Sequence, residues 1–126
     1  MSKRSLQVAM AMLGAVPVIT GLISMLGLGD PLYAHLNLPR DATLDSNMRF
    51  FGGAWLGLGL TDWWLVPRIE THTALFRALW LMIALGGLGR LVSLLVVGVP
   101  LIPFVGFTAL EIVGAPLFIW WQSRLG

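Results

Sequence analysis

The stretch GGLGRLVSLLVVGVPLIPFVGFTALEIVGAP, residues 86–116, decides how the chain folds. It is apolar enough to cross a membrane twice, yet it carries an arginine, Arg90, and a glutamate, Glu111. A hydrocarbon core about 30 Å thick takes about 20 residues of helix. The VPLIP segment, residues 99–103, therefore reads as a tight connection between two antiparallel spans, at about residues 74–98 and 101–121. Arg90 lies ten residues before Pro100 and Glu111 eleven after it. Across so tight a turn, equal distances along the two helices mean equal depth, which is expected to place both charges near the middle of the hydrocarbon. An unpaired ion there is costly. Pairing offsets part of that cost and fixes the register of the two helices.

Outward from this hairpin the same composition continues. Of the 126 residues 57% are hydrophobic and 11% charged, too little polar surface to cover a soluble core. Two further spans are expected, at residues 6–28 and 48–66. The first follows a short basic start, as a signal peptide does, but its apolar run is too long for an h-region and no convincing cleavage site follows. It reads as a retained helix, with a kink at Pro17. Residues 29–47 are polar. Asp30-Pro31 is a helix start and Pro39 a stop, so a short interfacial helix is expected at residues 32–38, and Ser46 or Asn47 is expected to cap the second span. The expected fold is all-α: one domain over residues 1–126, an integral membrane bundle of four transmembrane helices in antiparallel up-down hairpins.

Basic residues set the expected orientation. Lys3, Arg4, Arg68 and Arg124, with Arg77 just inside the third span, fall on one side. Arg40 and Arg49 fall on the other, diluted by Asp30, Asp41 and Asp45. The positive-inside rule then places both termini in the cytoplasm. Trp63, Trp64, Trp120 and Trp121 fall at the cytoplasmic ends, where an aromatic belt belongs. A net charge of +2 spread this way is no nucleic-acid surface. Without cysteine there is no disulfide, thiol nucleophile or thiolate metal site. His35 and His72 fall on opposite faces and cannot share a metal, and none of the common nucleotide-binding, hydrolase or metalloprotease motifs is present. The residues imply no particular cofactor.

A second pair of charges follows the same depth arithmetic. Asp62 is about eight residues before the middle of the turn PRIETHT, and Arg77 about seven after it. A structural ion pair near the cytoplasmic interface is expected. Gly86, Gly89 and Ser93 flank Arg90 and are expected to let another helix approach the arginine-bearing face, and Gly53 and Gly57 form a GxxxG in the second span. Pro116 removes the helical donor of the Ile112 carbonyl, which becomes a further acceptor for Arg90 or a water. Arg49, at the outer end of the second span, reads as an anchor to phosphate or to Asp45. Should its helix tilt inward, it joins Glu111 instead.

The segments LDSNMRFFGGAWLGLGL, LFRALWLMIALGGLGRLVSLLVVGVP and ALEIVGAPLFIW resemble the DUF4345 family of small bacterial four-helix membrane proteins, a family of unknown function. The resemblance covers about residues 44–121. It rests on an Asn-x-Arg-Phe entry to the second span (Asn47, Arg49, Phe50), a Gly-Gly-x-Gly-Arg core in the third (Gly86, Gly87, Gly89, Arg90) and the glutamate of the fourth (Glu111). It implies that Asn47, Arg49, Arg90 and Glu111 form the family's polar signature, and that the chain resides in a bacterial inner membrane.

Two functions compete. A bundle with no soluble domain and no catalytic motif suits an accessory or assembly subunit of a larger membrane complex, binding other membrane proteins or copies of itself through helix faces, with Arg90–Glu111 as an internal fastener. Alternatively, Arg90, Glu111 and Arg49 surround a central polar pocket that binds or transports a small molecule or lipid. An intramembrane enzyme is the least supported reading, since neither nucleophile nor metal set accompanies these charges.

Overall fold

A computed structural model describes residues 2–125, and all regular structure among them is helical. Four long helices follow one another: α1 (Lys3–Ser24), α2 (Ala42–Leu65), α3 (Thr73–Val96) and α4 (Ile102–Ser123). Short 3-10 turns at Gly27–Gly29, Pro31–Leu36 and Val66–Arg68 fill the connections. Helices α1, α3 and α4 are long and apolar enough to cross a membrane, which marks a membrane protein. Helix α2 is as long as α3, but Asp45, Asn47 and Arg49 crowd its start and Asp62 lies near its end. The chain divides into two compact units: residues 8–66, and residues 67 onward together with the first few residues of the chain.

In the unit of residues 8–66, α1 packs on α2 through glycines on both sides. A Cβ built at Gly21 would lie 2.6 Å from the Leu56 nitrogen, and one at Gly52 would lie 2.7 Å from the Ser24 carbonyl carbon. At Gly59 it would meet Val18 Cγ2 at 2.8 Å and the Pro17 ring at 3.0 Å. The seam thus runs along Gly52, Leu56 and Gly59, one helical face. Gly53 and Gly57, the expected packing pair, are off it. A Cβ at Gly53 would touch only Met25 Cε, at 4.0 Å, and one at Gly57 would touch nothing within 4 Å. The adjacent glycines 52 and 53 offer two registers about 100° apart, and the partner helix takes the first. Across the same seam the Trp55 indole donates to Thr20 Oγ1 at 2.9 Å, and the Trp63 indole to the Ala11 carbonyl at 2.9 Å.

The connection between α1 and α2 is ordered by aspartates. Buried Asp30 accepts from the Leu32 nitrogen and from Ser24 Oγ, starting a 3-10 helix at Pro31 that ends where Asn37 turns left-handed at φ 48°. Helix α2 begins at Ala42, earlier than its apolar run. Its cap is Asp41, which accepts from the Leu44 nitrogen at 2.9 Å, and not Ser46 or Asn47. Asp41 is the first side chain past Pro39 able to accept from a helix start, so the polar residues that follow are drawn into the first two turns.

In the second unit α3 and α4 form a hairpin whose turn carries Gly98 at φ 137°. The packing face of α4 is a single stripe: Thr108, Glu111, Ala115, Phe118 and Gln122 are all buried. Trp80 of α3 stacks on Phe118 with ring centroids 4.6 Å apart, and Phe118 stacks in turn on Trp121. At the far end the Gln122 amide donates to the Ile69 carbonyl and to Thr73 Oγ1 at 2.8 and 2.9 Å. Lys3 bonds Glu70 at 2.9 Å, and Leu6 and Ile69 are fully buried.

Filling the α1–α2 seam is expected to be costly. Gly21→Val places methyl groups against the Leu56 backbone, which cannot yield as a side chain does, and is expected to cost about 1–3 kcal/mol. Gly57→Val adds its methyls to open space and is expected to change stability by less than about 1 kcal/mol, the usual cost of a valine in a helix being small. Thermal denaturation of the two variants in one detergent, followed by size-exclusion chromatography, checks the difference.

Candidate functional site

Arg90 and Glu111 meet because of how helical side chains lean. Each Cα–Cβ bond tilts toward its own helix's amino end. In α3 that direction leads away from the α3–α4 turn, and in α4 toward it. Arg90 is six residues from the last residue of α3, and Glu111 nine from the first of α4, so their backbones lie about 9 and 13.5 Å from the helix ends. The two side chains close that offset by leaning toward each other. The pair therefore sits in the half of the hairpin nearer the turn. Arg90 Nε donates to both carboxylate oxygens, at 3.2 and 3.0 Å.

One turn before Arg90, Gly87 lets α4 come close: a Cβ there would lie 2.8 Å from Glu111 Cβ and 3.0 Å from Ile112 Cγ1. Gly86 and Gly89, expected at a helix contact, face away. A Cβ at either would meet nothing within 4 Å, and Ser93 is exposed on the same side. Of the clustered glycines, Gly87 is the one that follows Trp80 by seven residues and so shares its buried face.

The pair is buried unevenly. The Glu111 side chain is 8% exposed and that of Arg90 36%. The guanidinium lies over the Phe104 ring, 5.6 Å from its centroid, a cation–π contact. Its bonds go to the carboxylate and none to the Ile112 carbonyl, and its two terminal amino groups make no hydrogen bond among the described residues. Chemically the site is a fixed carboxylate held by the Nε of a half-buried cation.

Arg49 and Asn47 belong to the other unit. Arg49 Nε bonds Asp45 Oδ2 at 2.7 Å and its Nη1 donates to the Met25 carbonyl at 2.8 Å, an orphan acceptor at the end of α1. Asp45 Oδ1 accepts from the Leu28 nitrogen at 2.9 Å. Gly27 sits among them at φ 61°, where a Cβ would run into the Asp45 carboxylate. Asn47 is exposed one turn into α2. Missed in the sequence was Gly27, which lies inside the apolar run expected to form the first span. Asp62 and Arg77, also in different units, do not share the expected pairing pattern. Neither oxygen of Asp62 has a hydrogen-bond partner among the described residues. Arg77 is exposed on α3, beside Phe76, Leu79 and Trp80, which are buried. Equal depth does not settle which way a side chain faces.

Two outcomes test these networks. Arg90→Leu leaves a buried carboxylate unmatched, whereas Glu111→Leu leaves a half-exposed guanidinium able to reach water. Arg90→Leu is thus expected to destabilise more, by about 1–3 kcal/mol after discounting for exposure, and the double variant to recover most of it. A double-mutant cycle on unfolding in mixed micelles measures this. For Asp45, the Arg49 hydrogen bond, then the Leu28 N–H, holds the carboxyl below its ordinary value. A lowered folded-state value means that the network's contribution is complete above the ordinary range near pH 4 and lost as pH falls through the folded value. Amide-exchange protection at Leu28, corrected for intrinsic rate, is expected to drop over that interval, and Asp45→Asn to reproduce the loss at neutral pH.

Comparison with curated proteins and with solved structures gives no match. A family model described as a domain of unknown function, DUF4345, matches residues 5–122. That range takes in α1, which the motif resemblance left out, and includes Asn47, Arg49, Arg90 and Glu111. With nearly its whole length matched, the chain belongs to the DUF4345 family.

Proposed function

We propose that this protein is an accessory or assembly subunit of a larger membrane complex. The observation that carries the reading is the outward face of α3. Gly86 and Gly89 have open space where a side chain would be, and Ser93 is exposed beside them. In lipid, helices associate by close packing of such small residues, because apolar side chains gain nothing from leaving apolar tails. The partner is another membrane helix, from a different protein or a second copy. Arg90–Glu111 serves as the internal fastener of the α3–α4 hairpin. The proposal includes a fourth span in α2 from Met48 onward, completing a four-helix bundle in a bacterial inner membrane with both termini cytoplasmic. Lys3, Arg4, Arg68 and Arg124 support that orientation, as do the exposed indoles of Trp63, Trp64 and Trp120.

The donors of Arg90 without a partner among the described residues favour a second reading, in which the protein binds or transports an anionic small molecule or lipid at Arg90 and Glu111.

Native mass spectrometry of the protein extracted gently from its own membrane separates the two. A subunit is expected to come out in fixed stoichiometry with other chains. It should lose them on Gly86→Leu with Gly89→Leu and keep them on Arg90→Gln with Glu111→Gln. A monomer or small homo-oligomer carrying a discrete small-molecule mass, lost in the double-neutral variant, overturns the subunit reading and supports the pocket.

A further inference from the structure

Asp62 is a buried carboxyl outside the Arg90–Glu111 site. It lies three residues before the end of α2 and is 5% exposed. Neither of its oxygens has a hydrogen-bond partner among the described residues. The carboxyl fits because α1 presents a glycine to it: a Cβ at Gly14 would lie 2.5 Å from Asp62 Oδ2 and 2.7 Å from the Trp63 ring. The side-chain donors on either side of it in sequence, the Thr61 hydroxyl and the Trp63 indole N–H, are already committed to the Gly57 and Ala11 carbonyls. Residues 8–24 of α1 contain no titratable side chain, and the nearest basic residue within this unit along α2, Arg49, is thirteen residues away, about 20 Å.

A carboxylate so enclosed, with no hydrogen-bond partner among the described residues, is costly to keep charged, and a buried group in that position neutralises instead. We propose that Asp62 is a proton-binding site: a neutral carboxylic acid set against Gly14, whose one exchangeable ligand is the proton. The chain then holds two intramembrane carboxyls in opposite states, Glu111 ionised beside Arg90 and Asp62 protonated. This rests on the reading of α2 as a span only for the apolar surroundings, since the burial of Asp62 stands without it.

The test is labelling of the full chain in phospholipid vesicles with dicyclohexylcarbodiimide, which reacts with protonated carboxyls in apolar surroundings. The acid proton passes to a carbodiimide nitrogen as the carboxyl oxygen adds to the central carbon, and the adduct rearranges to a stable acylurea that mass spectrometry maps. Asp62 is expected to be modified, Glu111 not, and the rate to fall about tenfold per pH unit once Asp62 ionises. Arg90→Gln, which should expose Glu111 to the reagent, shows that the reagent reaches these helices. Infrared spectra supply a measure independent of any membrane span. A protonated-carboxyl stretching band that shifts in heavy water should be present in the parent and missing in Asp62→Asn, which is nearly isosteric and should fold. An unmodified Asp62 beside a modified Glu111 in Arg90→Gln, or no band lost in Asp62→Asn, overturns the proposal. Protection of Asp62 by sodium at constant pH also overturns it, in favour of a metal-cation site.

Discussion

Close backbone approach at a few glycines is the constraint on which the rest of the structure depends. Among apolar helices in an apolar solvent, burying a leucine gains little, so association rests on dispersion between surfaces that fit. Gly21, Gly52 and Gly59 bring α1 and α2 to backbone contact, and Gly87 does the same for α3 and α4. Everything polar is placed relative to those contacts. Glu111 reaches Arg90 because Gly87 admits its Cβ, and the Asp62 carboxyl has room because Gly14 has no side chain.

The charged residues divide by how they satisfy their charge. Arg49 and Asp45 spend theirs on the loop after α1, one on a terminal carbonyl and the other on a backbone N–H. Arg90 and Glu111 satisfy one another across a hairpin. These are two solutions to one problem, since a bare ion or an unmet backbone group is more expensive in hydrocarbon than in water.

Much of the helical layout was legible in the sequence, because helix length and apolar run length are tied together by the bilayer. The hairpin turn at Gly98 and Pro100 and the start of a short helix at Asp30-Pro31 follow from backbone rules that act locally. What counting along the chain cannot supply is azimuth. It put Asp62 level with Arg77 and chose Gly53, Gly57, Gly86 and Gly89 as contact residues. The structure instead uses Gly52, Gly59 and Gly87, one or two residues away from those chosen. In a helix with apolar residues all round, no amphipathic stripe marks the inner face, so adjacent glycines look alike until the partner is known. Asn47, Arg49, Arg90 and Glu111 were readable as a set of polar residues at or within the apolar segments. The division of that set between two separate networks was not.

The first residues of α1 have a consequence for the order of events during synthesis. Their contacts belong to the unit formed from residue 67 onward, with Lys3 bonded to Glu70. Domains emerging from the ribosome assemble from the amino end, and the α1–α2 hairpin is complete once residue 66 has appeared. The beginning of α1 must wait until Glu70 and Ile69 have been made. Lys3 is thus secured only after the α1–α2 hairpin, to which most of its own helix belongs, is already complete.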